Sequence, residues 1–80
     1  MRIFKTKWFT RFARQENLDD AKLRGAVQNI ESGLIDADYG GGMFKQRIAR
    51  DGEGKSVGYR GIIAFKLETR SIFVFAFSKN

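Results

Sequence analysis

Cysteine, histidine and proline are all missing from this 80-residue chain. Without cysteine there is no disulfide and no thiolate to act as nucleophile or ligand, which fits a reducing, cytoplasmic setting. Without histidine, the commonest general base near neutral pH and the commonest metal ligand are gone. No run of about 18 apolar residues occurs, so no helical membrane span is expected. The basic N-terminus is interrupted by Lys5, Lys7 and Arg11 and does not read as a signal peptide. Repeats and linkers are absent as well. A chain of this length makes one domain, residues 1–80, and can build a core only if most of its apolar residues join it.

What is present is basic, and unevenly so. The net charge is +6. Residues 1–42 hold seven Lys/Arg against six Asp/Glu, whereas residues 43–80 hold eight against three. A polyanionic partner is therefore expected to meet the second half. A basic balance also serves solubility alone, so composition does not decide the matter.

The pattern of the first half is helical. Arg2-Ile3-Phe4-Lys5 reads as a short strand, and Thr6 is placed to cap a helix running through Arg14. On it, Trp8 or Phe9, Phe12 and Ala13 share a face, more suited to a core than to stacking on bases. Glu16-Asn17 breaks the period. Leu18-Asp19 supplies a staple and a cap for a second helix, from about Asp20 to Ser32, with Leu23, Ala26, Val27 and Ile30 as its buried stripe. Gly33 stands where a helix-ending glycine belongs.

Asp36 to Gly42 reads as a loop, after which the period changes to two. Met43–Arg50, Tyr59–Leu67 and Ser71–Ser78 read as strands, with a tight turn at Glu68-Thr69-Arg70. The last strand, apolar on both faces through Ile72–Phe77, is expected to lie centrally with cover on both sides. The order strand, helix, helix, three antiparallel strands makes an α+β domain.

Chemistry concentrates on the strands. Lys45 and Arg47 project from one face, while Phe44 and Ile48 point the other way. On the next strand Tyr59, Gly61, Ile63, Phe65 and Leu67 alternate with Arg60, Ile62, Ala64 and Lys66. Pairing of these strands brings Arg60 close to Lys45 and Arg47, with Lys79 near them. The expected result is a concave basic patch with Tyr59 at its rim and Gly61 and Ala64 opening space. Arginine binds phosphate bidentately and lysine supplies a mobile charge. Crowded cations also ease deprotonation of a lysine, which then serves as a general base without histidine. The competing explanation is a solvated row of charges that blunts an edge.

Other motifs carry less. Gly52-Glu53-Gly54-Lys55-Ser56 has Ala49 where a P-loop needs glycine, and no strand-loop-helix follows it. Gly40-Gly41-Gly42 either cradles phosphate or lets the chain turn. Asp36 and Asp38 lack a third ligand for a metal, so no metal is expected; they cap or order the loop instead.

MRIFKTKWFTRFAR, LIDADYGGGMFKQRIAR, GYRGIIAFK and IFVFAFSKN, in that order, closely resemble the RelE/ParE superfamily of toxins from bacterial type II toxin–antitoxin pairs. The HigB-like, RelE-related branch is nearest. The resemblance covers essentially the whole chain and implies a RelE/ParE-like β-α-α-β-β-β fold, an antiparallel sheet packed against an N-terminal helix hairpin. It implies a ribosome-dependent, metal-independent mRNA endoribonuclease that inhibits translation and needs no cofactor. In it the 2′-hydroxyl of one nucleotide attacks the adjacent phosphate. Lys45 and Arg47 match the basic strand positions of such toxins, and Arg60 matches the arginine that stabilises the phosphorane. Arg50, Tyr59, Lys66 and Lys79 are candidates for holding RNA. RelE chains carry a further arginine and a tail with a base-stacking tyrosine beyond the last strand. Asn80 stands near that arginine's position, and Lys79 is expected to substitute in part.

The implied partners are mRNA on the ribosome and a cognate antitoxin of helix-turn-helix type, in a toxin–antitoxin hetero-oligomer, with Trp8, Phe9 and Phe12 offered for docking. The alternatives within the same fold are a ParE-like inhibitor of gyrase and a catalytically weak, shortened relative that binds only its antitoxin.

Overall fold

A computed structural model describes residues 1–49, 58–66 and 69–79. Strand β1 (Arg2–Lys5) is followed by helices α1 (Lys7–Gln15) and α2 (Asp20–Glu31). Strands β2 (Ala37–Gly40), β3 (Met43–Ile48), β4 (Gly58–Lys66) and β5 (Arg70–Lys79) complete the fold. They form one five-stranded sheet in the order β1-β5-β4-β3-β2. The three later pairs are antiparallel, and β1 joins β5 in parallel, so the sheet is mixed.

The α+β architecture and both helices are as expected from the sequence. The Thr6 hydroxyl accepts from the Phe9 N–H at 3.1 Å and donates to the Val74 carbonyl at 2.8 Å, so one side chain caps α1 and fastens it to β5. Asp19 caps α2 by accepting from the Lys22 N–H at 3.0 Å. Gly33, at φ +86°, closes α2 as anticipated.

Strand β2 was not foreseen: the stretch read as a loop pairs with β3 through Ala37 opposite Lys45 and Asp38 opposite Phe44. Gly42 makes the turn between them possible. Its φ is +83°, and a Cβ there would lie 2.7 Å from the Phe65 carbonyl oxygen, while its own carbonyl accepts from the Phe65 N–H at 2.8 Å.

The core lies between the helices and one face of the sheet. Phe9, Leu23, Val27, Ile48, Tyr59, Ile63 and Phe73 are its buried members, with Leu18, Ala13, Ala26, Ile30 and Ala76 around them. Burying one such large side chain is worth about 1.5–3 kcal/mol. Strand β5 has this cover on one side only. Its outward residues Phe75 and Phe77 are 44% and 41% exposed, so the expected double cover is corrected. A bulge at Val74 contributes, because Ile62 pairs with Phe75 and the next residue, Ile63, pairs with Phe73.

Candidate active site

Alternation along β4 decides which side chains face which way. Tyr59, Gly61 and Ile63 point at the helices, so Arg60 and Ile62 point to the opposite, open face. The β3–β4 register places Arg47 directly across from Arg60 and Lys45 across from Ile62. The three cations therefore share the open face, as the sequence implied.

One carboxylate joins two of them. Oδ2 of Asp36 lies 3.3 Å from Nε of Arg60 and 3.6 Å from Nζ of Lys45. Arg60 is only 3% exposed, and its Nη1 is buried without a hydrogen-bond partner. Arg47 is exposed. The group is thus a fixed, largely enclosed guanidinium, an ammonium tied to the same acid, and a solvent-facing guanidinium beside them. Fixed cations of this kind stabilise charge that develops on phosphate oxygens.

Gln46, between Lys45 and Arg47, faces inward and is 3% exposed. Its Oε1 accepts from the Asp36 N–H at 3.1 Å, and its Nε2 donates to the carbonyls of Leu34 at 2.6 Å and Ala26 at 3.4 Å. A buried amide with its partners satisfied fixes the segment leading into β2 against both β3 and α2. Neither Gln46 nor the pairing role of Asp36 was read from the sequence. The signal for Gln46 was there: a polar residue on the inward beat between Phe44 and Ile48 must find partners. An open groove of about 850 Å³ runs alongside, lined by Gly25, Asn29, Leu34, Asp36, Gln46 and Arg47 among others.

Other sequence candidates lie elsewhere. Tyr59 is not at the rim. It is 1% exposed, its ring meets Phe12 edge-on at 5.2 Å, and its hydroxyl donates to Glu16 Oε1, so it offers no surface to RNA. Gly61 opens no space in the patch either, since a Cβ there would lie 2.7 Å from Cδ1 of Ile48 on the helix side. Lys66 is exposed at the far end of β4, opposite Arg70. It lies six positions along the strand from Arg60, roughly 20 Å away. The Lys79 backbone pairs with Gly58, two residues from Arg60. Arg50 and the segment 52–56 lie outside the described residues.

Of the three docking aromatics, Phe9 is fully buried in the core and Phe12 is half-buried against it. Trp8 remains 38% exposed, stacked on Phe12 at 5.3 Å and against Phe75 at 4.3 Å. Phe75 continues to Phe77, which pairs with Arg60. Among the described residues, no group of three or more His, Cys, Asp or Glu side chains is placed to hold a metal ion. No helix among them is long and apolar enough to cross a membrane.

A family model described as the RelE toxin of the RelE/RelB toxin–antitoxin system matches residues 1–80. The chain belongs to the RelE toxin family. It is a toxin of a toxin–antitoxin system, and an antitoxin is among its partners. No match was found among curated proteins or among solved structures. The five-stranded sheet with two preceding helices is consistent with a RelE-like fold.

Proposed function

We propose that this RelE-family toxin is an mRNA endoribonuclease acting on the ribosome, with Lys45, Arg47 and Arg60 as its catalytic residues. The observation that carries the reading is the meeting of Lys45 and Arg60 at one point on the open face, with Arg47 across the ladder from Arg60. The 2′-oxygen attacks the neighbouring phosphorus and forms the fifth P–O bond. The P–O5′ bond then breaks, leaving a 2′,3′-cyclic phosphate and a 5′-hydroxyl. The 2′-hydroxyl gives its proton to Lys45 in its uncharged amine form, and the departing 5′-oxygen takes a proton from water.

Arginine stays charged throughout, so of the three residues only Lys45 can exchange a proton. Arg47 supports deprotonation by its charge. Arg60 stabilises the phosphorane, whose equatorial oxygens carry more negative charge than those of the diester. The exposed aromatics Trp8, Phe75 and Phe77 form the surface offered to the antitoxin, for which a helix-turn-helix type and a hetero-oligomeric complex are the reading by family likeness.

The test is induction without antitoxin, with mapping of transcript 5′ ends. Cuts within translated codons are expected, and Arg60→Ala should reduce them by about 10²–10³-fold without loss of the fold. Undiminished cleavage by Arg60→Ala overturns the assignment. An SOS response with intact messages would instead favour action on gyrase.

A further inference from the structure

The contacts of Asp36 support a role for a residue outside the three cations, and this inference rests on the phosphate-binding reading of those cations. A guanidinium carries five N–H donors in a rigid plane. Asp36 takes Arg60 by Nε, and the same oxygen takes Lys45. Nη1 of Arg60 is left buried and without a partner. Buried donors in folded proteins are almost always satisfied, and the exceptions mark places where something else completes them.

Asp36 is itself held. Its N–H donates to Gln46, which is anchored in turn to Leu34 and to Ala26 on α2. A line of contacts thus runs from helix α2 through Gln46 and Asp36 to the guanidinium plane of Arg60. A carboxylate next to a phosphate site repels the ligand, so its presence there works against affinity. What it supplies is orientation.

The geometry points to Asp36 as the positioning residue of the site: it sets the guanidinium plane of Arg60 so that Nη1 is presented to an anionic phosphate oxygen. Reaching Nη1 requires side chains on the open face to shift, and both cross-strand neighbours of Arg60, Arg47 and Phe77, are exposed. Orientation by an outer partner of this sort typically changes activity by about 10–100-fold.

The experiment compares wild type, Asp36→Ala and Asp36→Asn in the whole chain. In ribosome-dependent cleavage, Asp36→Ala should lower kcat by about 10–100-fold with KM unchanged or lower. Asp36→Asn keeps an oxygen for Nε and should retain more of the rate. Unchanged kcat in Asp36→Ala, or a raised KM with kcat retained, overturns the proposal.

A second arm needs no cleavage. Inorganic phosphate is titrated while the Arg60 Nε–H resonance is followed by NMR. Saturable shifts are expected for wild type; in Asp36→Ala, or in Asp36→Asn should the alanine variant not fold, saturation should come at equal or lower phosphate but with smaller, broadened shifts. No response of Arg60 in wild type also overturns the proposal. A phosphate response in a wild type that cuts no message refutes the endoribonuclease reading and leaves the positioning role standing.

Discussion

The two faces of the sheet are built on opposite rules. The helix side carries Ile48, Tyr59, Ile63 and Phe73 under Phe9, Leu23 and Val27, and its polar exceptions are few. Gln46 is one of them, and hydrogen bonds to backbone groups compensate its burial. The open side sets exposed Phe75 and Phe77 next to Arg60, with Arg47 and Lys45 beside it. The same five-stranded sheet therefore carries the core on one side and the proposed site on the other. In a chain this small, residues cannot serve both ends, and the alternation of a strand is what separates them.

Substitutions matched across the two faces sharpen that contrast. The largest stability effect belongs to the helix side. Phe9→Ala should cost about 3–5 kcal/mol, enough to unfold much of the population, and urea denaturation measures it. A loss below about 1 kcal/mol would mean that the core is centred elsewhere.

Gln46→Ala comes next. It strips the Asp36 N–H and the Leu34 and Ala26 carbonyls of their partner, at about 1–3 kcal/mol. Hydrogen exchange at the Asp36 amide should quicken at the same time, and an unchanged rate would detach Gln46 from the Asp36 segment.

The smallest effect is on the open side. Phe77→Ser should cost no more than about 1 kcal/mol in the same denaturation experiment, since the residue is 41% exposed. A cost like that of Phe9→Ala would show the two faces to be energetically alike and break the comparison.

Much of the fold was legible because local signals agreed with tertiary ones. Thr6 and Asp19 cap helices whose apolar stripes have the right period, and both caps are made. The grouping of Lys45, Arg47 and Arg60 was legible from alternation plus pairing. Strand β2 was not, because Asp38 and Gly40 have poor strand propensity. It forms as a four-residue edge by pairing with β3, a tertiary event that leaves little mark on local sequence. Asp36 was hidden with it, since its approach to Arg60 depends on where that edge lies. Tyr59 was assigned the correct strand face, with Gly61 and Ile63. That face is the core, so its neighbours rather than its own chemistry should have decided its place.

The parallel pair of β1 and β5 bears on how the toxin is made. The Thr6 hydroxyl reaches the Val74 carbonyl across 68 positions of chain, and β1 has β5 as its ladder partner. The first strand to be synthesised must wait, unpaired, for the last. Arg60 likewise sits on a strand flanked by β5. Loop closure over such a span delays folding. Nascent chains still short of β5 thus have no finished sheet around Arg60, and the cation group proposed as the site is framed only once synthesis has passed that strand.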